Sequence, residues 1–166
     1  AKAGTVEIGG GWQGTGDLAH AQNVTVERGA ALRADATAAD AAGGTVAVWS
    51  DAKTVFAGEI TARGKGTGAG GAVETSGAKV QITGAVNASS EAGKGGEWLI
   101  DPGDIEVKTR AAGDPEAGSQ ADVQTVTNSL NSGTSVTIQT PNLTGNNDNF
   151  IKVQDAINKT AGGDAT

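Results

Sequence analysis

Short runs in which apolar and polar residues alternate recur along this chain, separated by glycine-rich stretches. Thr5–Ile8, Asn23–Val26 and Ser135–Ile138 are typical runs, in which every second residue is apolar. Such alternation places one set of side chains on each face of a β-strand. The pattern therefore predicts a chain built mainly of strands.

Three of these runs follow glycine pairs that recur at a nearly constant interval. The pairs, each with its run, are Gly43-Gly44 before 45–48, Gly70-Gly71 before 72–75, and Gly95-Gly96 before 97–100. The interval is 27 residues from Gly44 to Gly71 and 25 from Gly71 to Gly96. A period of this length is typical of stacked units. It predicts a β-solenoid of about six or seven coils with parallel strands, whose glycine pairs lie at corners that need positive φ or close backbone approach.

The densest apolar run is Trp98-Leu99-Ile100, and a turn signal follows it directly. Proline presets φ at the second position of a turn, and glycine accepts positive φ at the third. Asp101-Pro102-Gly103 therefore predicts a tight turn between two strands, with the Asp101 side chain capping the freed N–H groups. In so apolar a run, we expect the ring of Trp98 to be packed in the interior.

One segment has helical spacing. Val123, Val126 and Leu130 lie at i, i+3 and i+7, and Gly133 follows as a stop signal. This predicts a short amphipathic α-helix near 121–132. The expected organisation is regular β-helix coils over 1–107, a polar loop and the helix over 108–133, and further coils over 134–166 in which the pattern breaks off.

Composition narrows the function classes. The 166 residues include 27 glycines and only 3% aromatic residues, so the interior must be narrow and filled by small aliphatic side chains. A net charge of -7 argues against nucleic acid, which needs clustered Lys and Arg. No run of 18 apolar residues is present to span a membrane.

Several ordered motifs carry a family resemblance. They are Gly43–Asp51 (Gly-Gly-Thr-Val-Ala-Val-Trp-Ser-Asp), Phe56–Gly64, Val73–Gly77 (Val-Glu-Thr-Ser-Gly), Trp98–Ile105, Ser129–Ile138 and Ile157–Thr166. In order and spacing the chain resembles the large exoproteins of bacterial two-partner secretion, the filamentous-haemagglutinin-like and high-molecular-weight adhesins. The amino-terminal secretion domain of that family, with its Asn-Pro-Asn-Gly type motif, is not among these residues, which indicates an interior segment.

The resemblance implies an all-β, right-handed parallel β-helix that is exported through an outer-membrane partner barrel and displayed on the bacterial surface as a fibre. The expected function is structural and adhesive, without catalysis or cofactor, toward a host-cell or surface receptor that the sequence does not identify. Two alternatives stay open. One is a β-helical enzyme that degrades polysaccharide, and the other is the stalk of a contact-dependent toxin-delivery protein.

Candidate catalytic and metal-binding groups are few. Asp101, Asp104 and Glu106 could serve as a carboxylate pair, which needs convergence on a cleft. Alternation instead places Asp104 and Glu106 on a solvated face. His20 is the single histidine, no cysteine is present, and the polar loop 146–149 lacks a calcium-binding repeat. We therefore predict no catalytic residue, no cofactor site and no metal site.

Four Asn-x-Ser/Thr sequons remain as candidate modification sites. They begin at Asn23, Asn87, Asn142 and Asn158. Some high-molecular-weight adhesins are glycosylated on such sequons, so the resemblance adds an N-linked glucosyltransferase as a candidate partner. Asn142 is the first choice, because Pro141 and a glycine- and asparagine-rich run make its loop accessible. Trp12, between Gly11 and Gln13, is the tryptophan expected to be exposed.

Overall fold

A computed structural model describes residues 1–110, 118–141 and 149–166. Within these ranges the structure has twelve strands, one α-helix and a short 3₁₀ turn over Trp12–Gly14. The strands are β1 Thr5–Ile8, β2 Asn23–Val26, β3 Ala31–Arg33, β4 Thr45–Phe56, β5 Glu59–Thr61, β6 Ala72–Ile82, β7 Ala85–Asn87, β8 Glu97–Asp101, β9 Ile105–Lys108, β10 Gln120–Asp122, β11 Ser135–Ile138 and β12 Ile151–Val153. The helix, α1, is Val123–Asn131 and lies inside the predicted range.

The strands pair in parallel and form two sheets of unequal size. Nine strands belong to one sheet, which contains the row β1-β4-β6-β8-β11 and the row β2-β4-β6-β10-β9-β12. The other sheet has three strands in the order β3-β5-β7. The interior lies between these three rows of strands and is lined by Val, Ile, Phe56 and Trp98 side chains.

The prediction of an all-β, right-handed parallel β-helix with six or seven coils is wrong. In such a fold each coil stacks on the one before it, whereas β10 lies between β6 and β9 although it follows β9 in the chain. The nine-stranded and three-stranded sheets are also not equivalent faces repeated along the chain. The structure is a two-sheet arrangement of parallel strands with one helix packed against it.

One long strand takes the place of a bend. From the sequence, Trp49-Ser50-Asp51 is predicted to form a bend, but β4 continues from Thr45 to Phe56 and pairs with β6 along most of its length. The change of direction is absorbed by a register shift between Ser50 and Lys53. Buried hydroxyls stabilise it, since the side chains of Ser50 and Thr54 are 2.8 Å apart and Thr54 donates to the Ser76 carbonyl.

Helix α1 covers one edge of the three-stranded sheet. Asp122 caps its first turn by accepting from the Gln124 N–H. Ser129 Oγ donates to the Val86 carbonyl at 2.8 Å, and Thr134 Oγ1 accepts from the Ala88 N–H at 2.8 Å. These bonds satisfy backbone groups that an unpaired edge strand would expose. The apolar face of α1 therefore packs onto the sheet, and the helix covers the sheet edge where a further strand would otherwise pair.

Candidate functional site

A buried acidic cluster lies on the outer face of the nine-stranded sheet. Alternation directs Val73 and Thr75 of β6 into the interior, so Glu74 and Ser76 face the other way. In the next strand Asp101 is the register partner of Ser76. Glu74 is 0% exposed and Ser76 is 1% exposed, which is unusual for an outer face.

The loop over residues 9–22 causes this burial. Its 3₁₀ turn lies against β4 and β6, and the backbone N–H of Gln13 donates to Glu74 Oε2 at 2.7 Å. Gln13 has φ of 52°, in the left-handed region that a residue with a side chain rarely adopts. The hydrogen bond to Glu74 supports that conformation and holds the turn onto the sheet.

The ring of Trp49 anchors the same loop from β4. A Cβ atom on Gly10 or Gly14 would lie 2.7 or 2.6 Å from the Trp49 ring, so only glycine fits at both positions. The His20 ring lies 4.5 Å from the Trp49 ring, centroid to centroid. His20 Nδ1 also lies 3.3 Å from Asp51 Oδ1. The outer face is thus covered by a loop that is fixed at several points.

The environment of Glu74 favours its protonated form. Burial raises the pKa of Glu74, the Gln13 N–H and the Ser76 hydroxyl lower it, and the nearby charge of Asp101 raises it, so the pKa lies above its ordinary value. Among the described residues, neither Glu74 nor Asp101 forms an ion pair with a basic side chain. Two carboxyl groups therefore share a site without a positive partner.

Three oxygens of this cluster lack hydrogen-bond partners. They are Glu74 Oε1, Ser76 Oγ and Asp101 Oδ1, each buried within the described part of the chain. The Ser76 hydroxyl lies near the Glu74 carboxyl but makes no hydrogen bond of normal geometry with it. Buried polar groups are nearly always satisfied, so these three oxygens call for a ligand, an ordered water or a proton.

Of the three candidate carboxylates, Asp104 and Glu106 line one concavity of about 400 Å³ together with Lys108, and Asp101 does not. Asp101 Oδ2 accepts from Gln139 Nε2 at 2.8 Å, so its side chain binds the end of β11 and does not cap the turn as predicted. Asp104 accepts from Ser119 Oγ at 3.3 Å. Glu106 lies between Lys108 and Lys152, at 3.7 and 3.5 Å. Each of the three carboxylates thus has its own separate partner.

The other predicted structural residues lie at the end of β8. Trp98 is 0% exposed, and its Nε1 donates to Thr75 Oγ1 at 3.0 Å. Pro102 is buried and Gly103 is partly exposed between β8 and β9. The Gly103 N–H donates to the Ala78 carbonyl, so the turn is tied to the end of β6. Trp12, expected to be exposed, is only partly so.

The sequon asparagines differ in environment. Asn23, at the start of β2, and Asn158, near the carboxyl end, are exposed. Asn87 is partly exposed at the end of β7, and its Oδ1 accepts from the Ser89 N–H at 3.0 Å. Asn142 lies outside the described residues, as does most of the loop over 146–149.

A glycine-lined groove is one of several concavities of similar volume. It encloses about 440 Å³, and Gly43, Gly70, Gly95, Lys2 and Lys94 are among its lining residues. Its lining combines backbone with lysines and the single carboxylate of Glu97, which is not the carboxylate pair that general acid–base catalysis of glycoside cleavage requires. The glycines are there because neighbouring backbone approaches closely.

Glu74 is the residue that sequence reasoning missed. Alternation places it opposite Val73, where an acidic side chain is usually solvated. The sequence signal for the covering loop was the glycine-rich stretch 9–16, which lies near two tryptophans in the fold. Gln13 of this stretch contacts Glu74 across 61 positions of sequence, so the pattern around Glu74 does not reveal the contact. In the described ranges, no group of three or more His, Cys, Asp or Glu side chains could hold a metal ion, and no helix is long and apolar enough to cross a membrane.

Comparison with known proteins adds no family assignment. No protein-family model matches this chain, and no curated protein is significantly similar to it.

Proposed function

We propose that this chain is a structural and adhesive segment of a secreted protein displayed as a fibre on the bacterial surface, without catalysis. The observation that carries the proposal is a continuous interior row across five paired strands, formed by Val6, Val46, Val73, Trp98 and Val136. Every link in this row is a parallel strand pair with its ladder of hydrogen bonds. Such a stack suits a segment that spaces and presents other surfaces.

The chemistry of the surface supports a role without turnover. Arg63 and Asp35 form a bidentate ion pair at 2.9 and 3.3 Å, and the predicted catalytic carboxylates are engaged in separate contacts. Glu74 is covered by the loop over 9–22, so a polysaccharide chain does not reach it in this conformation. The motif resemblance adds an outer-membrane transporter as the export partner and the cell exterior as the location.

Attachment is the direct test of the adhesive role. Beads coated with the folded chain should bind cultured epithelial cells or an abiotic surface more strongly than beads coated with the heat-denatured chain. The denatured chain is a matched control, because composition and net charge are unchanged. Equal attachment of both preparations would contradict a specific adhesive surface and leave only the spacer role.

Polysaccharide degradation is tested separately. Incubation of the chain with pectin, glycosaminoglycans and other polyuronates should release no cleavage products, with or without calcium, because Asp104 and Glu106, which line a shared concavity, are each held by neighbouring side chains. Product release measured by reducing ends checks this. Turnover that disappears in Asp101→Asn, Asp104→Asn or Glu106→Gln would establish the enzyme alternative.

Glycosylation follows from the proposed export route. Protein from the native host should exceed the sequence mass by whole hexose units, with Asn158 and Asn23 as the exposed candidates among described residues and Asn142 as the candidate outside them. Asn87 should be modified less than Asn23 and Asn158, because it is only partly exposed at the end of β7. Peptide mapping of host-derived protein with all four asparagines bare would reject modification of this segment.

A further inference from the structure

We propose that Glu74, Ser76 and Asp101 bind a hard divalent cation of the calcium class beneath the loop over 9–22. This inference does not depend on the adhesive role. It starts from three oxygens, Glu74 Oε1, Ser76 Oγ and Asp101 Oδ1, which are buried and unpartnered on one face of the sheet.

Strand geometry brings the three side chains together. Glu74 and Ser76 are two positions apart on β6, so both project from the same face. Asp101 is paired with Ser76 across the neighbouring strand, about 4.8 Å away in the backbone. The three side chains therefore project from the same face of neighbouring strands β6 and β8.

The charge of the Glu74 and Asp101 carboxyl groups favours a bound cation over an unoccupied cluster. A buried carboxylate is costly unless it is paired or coordinates a metal. Neither Glu74 nor Asp101 has a basic partner among the described residues, and together they carry up to two negative charges. A divalent cation neutralises both groups, whereas a single shared proton neutralises one.

The donor set selects the kind of ion. Every available donor is an oxygen, which suits calcium, while zinc and copper favour nitrogen or sulfur ligands. Calcium takes six to eight oxygens and accepts flexible geometry, so water would complete the shell. Bound there, the ion joins β8 to Glu74, whose other oxygen holds the Gln13 N–H, and so fixes the loop over 9–22 to the sheet.

Tryptophan-sensitised terbium luminescence tests this site in the full chain, with calcium as competitor. Terbium should bind wild type, calcium should displace it, and calcium should raise the Tm. Glu74→Gln and Asp101→Asn should each weaken binding about tenfold or more and abolish the Tm shift. Glu97→Gln is the matched control: it makes the same change on exposed β8 surface and should bind as wild type does.

Stability without the ion supplies a second readout. Without calcium, Glu74→Gln removes a buried carboxyl group that has no basic partner among the described residues, so it should be at least as stable as wild type. If Glu74→Gln does not fold, Asp101→Asn and Ser76→Ala decide by the same measurements.

Two results would overturn the site. Terbium binding that is equal in wild type, Glu74→Gln and Asp101→Asn would assign the ion to scattered surface carboxylates. No calcium effect on the Tm of folded wild type would show that a proton or a water molecule, and not a cation, satisfies the three oxygens.

Discussion

Trp98→Ala should lower the free energy of unfolding by about 3–5 kcal/mol, as large-to-small changes in a packed interior do. The ring is fully buried in the row between Val73 and Val136, so its removal leaves a cavity between three strands. Chemical denaturation followed by circular dichroism measures the change. An unaltered midpoint would mean that the ring is not part of the interior.

Trp98→Phe separates the two contributions of this side chain. Phenylalanine retains most of the apolar volume but leaves Thr75 Oγ1 without the indole donor, which lies 3.0 Å away in wild type. We expect a loss of about 1–3 kcal/mol, the cost of an unsatisfied buried group plus a small cavity. A loss as large as that of Trp98→Ala would mean that the hydrogen bond, not the volume, dominates.

Gly70→Ala should be still more damaging, with a loss of about 4 kcal/mol or more and failure to fold at moderate temperature. The added Cβ would lie 1.8 Å from the Ala88 carbonyl oxygen and 2.3 Å from the Gly96 nitrogen. Both atoms belong to backbone, and they are bonded to each other at 2.7 Å, so neither can move without breaking that bond. Soluble yield and thermal unfolding measure the effect.

Gly4→Ala is the matched control for that substitution. It makes the same chemical change in another glycine of the chain, but a Cβ there would meet nothing within 4 Å. We expect a change of about half a kcal/mol or less, typical of surface positions. Equal damage from both substitutions would show that loss of glycine flexibility, and not the close approach to Ala88, is responsible.

Local patterns predicted the elements well where neighbouring residues decide them. Alternation in Thr5–Ile8 and Ser135–Ile138 corresponds to β1 and β11, and the spacing of Val123, Val126 and Leu130 corresponds to α1. The glycine pairs were assigned to either positive φ or close approach. At Gly70 the structure selects close approach, because its φ is not in the left-handed region and its neighbours are backbone atoms.

The predicted β-helix failed because period does not specify the order in which strands pair. Nothing local to Gln120–Asp122 reveals that β10 enters between β6 and β9. Likewise, the local sequence Trp49-Ser50-Asp51 predicts a bend, yet pairing with β6 keeps β4 extended through this segment. Strand pairing depends on contacts between distant residues, which override local turn preference.

The sequence alone therefore determined which residues share a strand face, where the helix lies and where the chain turns at 102–103, since each depends on residues close together in the chain. Only the tertiary structure decided which faces are buried. Glu74 has the pattern of a solvated residue, and it becomes a buried group whose pKa is raised by desolvation, because a loop 61 positions away covers it and donates the Gln13 N–H to it. Desolvation is a property of the surrounding atoms, so the candidate site was fixed by the fold and not by the alternation of side chains.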